Sequence, residues 1–170
     1  RIAVVRKVTR YVPLNVHSHF SFLDSTLSIP AIIALAQQHE LPAVALTDTG
    51  NLHGAVEFCL AAKQAGIKPI VGAEVDVDGQ PVWLYVENST GYANLCRLLS
   101  QDQADARNEQ SEEDACLRRV AVRARQLDGL TDGLLAVSRD AALASLFSGR
   151  FYRAVSSGDD LRRQDALPGV

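Results

Sequence analysis

His17 and His19 stand two residues apart at the end of an alternating stretch, and carboxylates follow at places from which they could join them. On an extended strand, side chains at i and i+2 leave the same face, so two imidazoles at this spacing suit one metal ion. Asp24 lies in the loop that follows and offers an oxygen ligand. Asp48 closes the next apolar run, and Glu74 lies inside the third, two residues after Gly72. A His-x-His pair alone is a weak pattern, since hydrogen-bonded histidines at a strand end look the same. With carboxylates on two further strands it points to a divalent cation held by nitrogen and oxygen. Asp48 has a second role open to it, because Asp often bonds the backbone amides of a turn such as Thr49–Asn51. His53, at a helix start, reads as exposed, and Trp83 as a core or interface aromatic.

The elements that must carry these residues are legible from periodicity. Residues 11–17 alternate as a short strand. Ser28 is placed to cap a helix over 29–39, with Pro30 tolerated in its first turn and Pro42 ending it. Ala43-Val44-Ala45-Leu46 is a continuous apolar strand of the kind buried on both faces. A helix over 54–65 follows, closed by Gly66. Strands over 69–77 and 81–87 flank the turn Asp78-Gly79 and predict a hairpin. The order β-α-β-α-β calls for a parallel sheet or barrel, whose ligands gather at the carboxyl ends of the strands. Beyond residue 90 the pattern predicts a helix at 91–99, a polar loop at 101–114, a helix at 113–127, a strand at 134–137, a helix near 140–147 and a strand at 151–155.

The 170 residues are 47% apolar and carry a net charge of −3, enough for one domain with a core and too apolar for a disordered chain. A mildly acidic balance excludes a surface wholly devoted to nucleic acid. The densest basic group, Arg118, Arg119, Arg123 and Arg125, follows an acidic run and reads as a solvated helix face. No run reaches the roughly 20 apolar residues that span a bilayer, and no signal peptide is visible, so a cytoplasmic protein with no membrane partner is expected. Cys59, Cys96 and Cys116 show no metal-finger spacing and read as reduced thiols.

The stretch Val16-His17-Ser18-His19-Phe20-Ser21-Phe22-Leu23-Asp24 resembles the first motif of the PHP (polymerase and histidinol phosphatase) domain. Residues 45–58 (Ala-Leu-Thr-Asp-Thr-Gly-Asn-Leu-His-Gly-Ala-Val-Glu-Phe) and 65–75 (Ala-Gly-Ile-Lys-Pro-Ile-Val-Gly-Ala-Glu-Val) are similar to the PHP domain that opens bacterial DNA polymerase III alpha subunits. The run Gly91–Ser100 is similar to the same branch, which includes error-prone relatives. This resemblance implies a distorted (β/α)7 barrel with up to three metal ions, zinc or manganese, at its mouth. Active members hydrolyse phosphoesters, and some trim DNA from the 3′ end. By position, His17, His19, Asp24 and Glu74 match metal ligands of the family, with Asp48 a possible catalytic group.

Two departures weigh against that activity. Thr49 stands where the family usually has a histidine, and a hydroxyl is a poor substitute for imidazole. No histidine follows His53, although the family's later ligands include several. The expected layout is an extension over 1–10, a partial PHP domain over 11–155 amounting to the first two-thirds of the barrel, and a tail over 156–170 leading toward a missing strand. The expected role is that of a structural module of a polymerase III alpha-type protein. Its partners would be the rest of that polymerase and, through it, DNA, with self-association of the isolated chain. The alternative is a metal-dependent phosphoesterase or 3′–5′ exonuclease acting on DNA or a small phosphate ester.

Overall fold

The computed structural model describes residues 11–106 and 121–155. Helix α1 (Ile29–Gln38) starts where Ser28 accepts a hydrogen bond from the Ala31 amide, and it buries Ile29, Ile32, Ile33 and Ala36. Strand β1 (Ala43–Leu46) is buried at every position. Helix α2 (Ala55–Gln64) buries Ala55, Phe58 and Ala62, and Gly66 leaves it with a positive φ. Side chains of α1, α2, β1 and Ile67 form one apolar cluster.

Strand β2 (Lys68–Val77) is the hub of the sheet. Its first half pairs in parallel with β1, its last two residues with β4 (Ala121–Val122), and its other edge antiparallel with β3 (Gln80–Val86). The hairpin turns through Asp78 and Gly79, both with positive φ, as a two-residue turn of the hairpin type demands. β3 then pairs with β5 (Leu134–Ser138), and β5 in parallel with β6 (Phe151–Arg153). Because β3 alone is reversed, the other strands all run one way. The α/β architecture expected from the order of elements is therefore present, with the hairpin as its exception.

Period-2 alternation divides β2 cleanly. Ala73, Val75 and Val77 join a second apolar cluster that includes Leu95, Leu98 and Leu99 of helix α3 (Ser89–Ala106). Gly72, Glu74 and Asp76 therefore face the opposite side of the sheet.

Several expectations need correction. Residues 11–17 form no regular strand. Pro13 and Val16 accept bonds from the Ala45 and Thr47 amides, so a step of three residues in the segment meets a step of two along β1 and the residue after it, and the ladder slips. The Val16 amide turns instead to Thr47 Oγ1, 3.2 Å away. The helix at 91–99 is longer, reaching Ala106. The helix expected over 113–127 begins outside the described residues, and its end is β4 followed by a 3-10 turn at Ala124–Leu127. Val122 and Leu127 are buried there, so pairing with β2 outweighs helical charge patterning. The helix near 140–147 is a 3-10 segment, Ala141–Leu146. The extension 1–10, most of the loop at 101–114, Cys116 and the tail 156–170 lie outside the described residues.

Gly91, at the start of α3, touches the loop before β5 so closely that a Cβ there would lie 1.8 Å from the Gly133 carbonyl oxygen. Gly91→Ala is expected to cost about 3 kcal/mol or more in urea unfolding. Gly129→Ala, with open space but φ +72, should cost only about 1–2 kcal/mol. Equal costs would contradict the close approach.

Candidate functional site

Asp48 follows β1 with 1% of its surface exposed. A buried carboxylate needs hydrogen-bond donors, and one short loop supplies them. Oδ1 accepts from the Ser18 amide at 2.6 Å and from Ser21 Oγ at 2.7 Å, and Oδ2 accepts from Ser18 Oγ at 2.7 Å. Ser21 Oγ in turn accepts from the Thr49 amide at 3.0 Å. Asp48 thus fastens the histidine-bearing loop to the sheet rather than capping the turn at Thr49–Asn51.

That fastening sets His17 between two carboxylates. Its Nδ1–H donates to Asp24 Oδ2 at 2.8 Å, and its Nε2 lies 3.3 Å from Glu74 Oε2. Nε2 is buried and its bond to Glu74 is imperfectly aligned, so the contact is a weak hydrogen bond reinforced by charge. Even so, Glu74 is the largest influence on His17. It raises the imidazole pKa above the ordinary 6.5, with Asp24 adding to the effect and burial opposing it.

Glu74 sits buried on β2 directly opposite Trp83 of β3, whose indole N–H donates to Oε2 at 2.8 Å. Tyr85, opposite Gly72, donates its hydroxyl to the Leu14 carbonyl at 2.9 Å and ties the first segment to the same face. Burial first, and the Glu74 charge second, push its pKa far up.

His19 falls in the turn beyond the extended segment. Its ring lies 4.3 Å from Phe20, and its Nδ1–H points at the Leu27 carbonyl, 3.4 Å away. Asp24 is exposed, and Thr49 Oγ1 lies 3.4 Å from its Oδ2. His53 is exposed, edge-on to Phe20. The fold thus gathers His17, Asp24 and Glu74, and places His19 against Phe20 and Leu27. Among the described residues, no group of three or more His, Cys, Asp or Glu is placed to hold an ion.

A family model for the PHP domain matches residues 13–164. The chain belongs to the PHP domain family. It is 47% identical over 91 residues to an error-prone DNA polymerase of Symbiobacterium thermophilum, spanning 53% of this chain and 8% of that protein. To the DNA polymerase III subunit alpha of Chlamydia trachomatis it is 41% identical over 105 residues, again 53% of this chain and 8% of that protein. A solved structure from Bifidobacterium adolescentis, assigned as a metal-dependent phosphoesterase, aligns with 91% of this chain and 73% of its own. Its TM-score is 0.56 at 12% identity, a likeness of fold.

A metal can be tested against the PHP domain's own atoms. Two ligands of one tetrahedral ion, with bonds of about 2.1 Å, stand about 3.4 Å apart. His17 Nε2, buried and without an aligned partner, stands 3.3 Å from Glu74 Oε2. Asp24 on Nδ1 is the outer partner that aims such a ring and leaves Nε2 its lone pair. These two atoms stand at the spacing of two ligands of one ion, and among the described residues no third His, Cys, Asp or Glu is placed to complete a site.

The carriers of the site that the sequence reading passed over are Ser18, Ser21 and Trp83. Trp83 had a signal. Counting outward from the two-residue turn Asp78-Gly79 sets 83 opposite 74.

Asp48→Asn leaves a donor facing serine hydroxyls in a dry site and is expected to destabilise by about 3 kcal/mol or more in urea unfolding; a loss under 1 kcal/mol would show the carboxylate idle. In metal-free protein, a raised His17 pKa adds stability that is full below about pH 6.5 and fades as pH rises through the raised value. The stability gap between wild type and His17→Asn should therefore narrow with rising pH, and a gap that widens would reverse the sign.

Proposed function

We propose that this PHP domain is the N-terminal module of a cytoplasmic DNA polymerase III alpha-type protein. There it acts as a structural element packed against the polymerase body, with a degenerate metal site. The observation that carries this reading is how few ligands converge. His17 contacts Asp24 on one ring nitrogen and Glu74 on the other, and Trp83 binds Glu74. Asp48 is consumed in holding the loop. The family match and the polymerase relatives support the parentage.

In the whole protein the partners are the remaining polymerase and, through it, DNA. Strand β6 ends the sheet, and among the described residues nothing pairs with its outer edge. Open edges recruit other chains unless covered, so the polymerase body covers this one and the isolated chain self-associates. Among the described residues no helix is long and apolar enough to cross a membrane.

A second reading, a metal-dependent phosphoesterase or 3′–5′ exonuclease, draws on the ligand spacing of His17 Nε2 and Glu74 Oε2. A zinc or manganese ion held there, with His19 and Asp24 as further ligands after rearrangement, would supply an activated water for attack at phosphorus. The chain's own part would be to hold Nε2 and Oε2 at that spacing.

An assay with Mn²⁺ or Zn²⁺ on an aryl phosphate ester and on 3′-labelled single-stranded DNA separates the two. The scaffold reading expects no turnover above that of the His17→Ala/His19→Ala double variant. Metal-dependent turnover that this variant lacks would establish the second reading instead.

A further inference from the structure

Trp83 is the single tryptophan of the chain. The hairpin turn fixes its register opposite Glu74, and its other neighbour in the same row is Val137 of β5. Packing against Val137 would be served by any large apolar side chain. The indole N–H does something such a side chain cannot, because it donates a 2.8 Å hydrogen bond to Glu74 Oε2. This is the same oxygen that stands 3.3 Å from His17 Nε2.

A glutamate on a strand keeps rotamer freedom at three torsions, and a lone carboxylate would sample many positions. A donor held in place on the adjacent strand removes much of that freedom. His17 is treated alike from the other side, where Asp24 accepts its Nδ1–H. Each member of the pair is therefore aimed by a neighbour behind it, the arrangement that tunes metal ligands from outside the coordination sphere.

We propose that Trp83 is a positioning residue, whose indole N–H sets Glu74 Oε2 against His17 Nε2. This rests on the reading of that pair as the remnant of a metal centre. A carboxylate oxygen carries two lone pairs, so Oε2 can take the indole proton on one side and face His17, or a divalent cation, on the other.

The test uses the 170-residue chain and the Trp83→Phe variant, which keeps an aromatic ring and removes the donor. In metal-free protein the ring resonances of His17 should move on this substitution while those of the distant His39 stay in place. Competition between the chain and a chelating dye for Zn²⁺ should show affinity weakened 10–100-fold in Trp83→Phe. Unmoved His17 resonances, or unchanged Zn²⁺ affinity, would overturn the proposal. If wild type takes up no Zn²⁺, the metal-centre reading falls, and exchange of the Trp83 indole N–H with solvent then decides positioning. Should Trp83→Phe fail to fold, the single indole N–H of wild type decides. Slow exchange with solvent that quickens in Glu74→Gln supports the proposal, and fast exchange in wild type overturns it.

Discussion

A dry carboxylate cannot stand without donors, and the way Asp48 obtains them organises the functional face of this domain. Its donors are the amide and hydroxyl of Ser18 and the hydroxyl of Ser21, all from the loop that carries the histidines. An irregular segment that slips along β1 is thereby pinned at one point to the end of that strand. Tyr85 adds a second tether at Leu14. Where His17 lies follows from these bonds more than from strand geometry.

The other half of the site depends on β2, which is long enough to pair with β1 and β4 along one edge and β3 along the other. Alternation sends its apolar side chains into the α3 core and Glu74 to the opposite face. A buried strand cannot slip by one residue without exchanging those faces, so the core that holds the fold also fixes where Glu74 stands. The candidate site and the packing share one constraint here.

The regular elements were legible wherever a single pattern decided them. Ser28 and Pro42 bracket α1, Gly66 closes α2, and Asp78-Gly79 fixes the hairpin. The sequence misled where a second force intervened. Arg123 and Arg125 suggest a helix face, yet Val122 and Leu127 gain more by burial beside β2 and the core. His17 and His19 suggest one strand face, but the chain turns at His19 because Ser18 and Ser21 must reach Asp48. Those serines look like ordinary loop residues in sequence, since their role depends on a carboxylate about 30 positions away. Thr49, by contrast, was informative, as its hydroxyl lies beside Asp24 and adds no strong ligand.

On the reading proposed above, this face keeps the framework of a metal site, and among the described residues few groups are placed to fill it. Anomalous diffraction from crystals of the chain soaked in Mn²⁺ tests this most directly. At most one ion is expected, between His17 Nε2 and Glu74 Oε2, with Asp48 still bonded to Ser18 and Ser21. Two or more ions at this face, or one ligated by Asp48, would contradict the account.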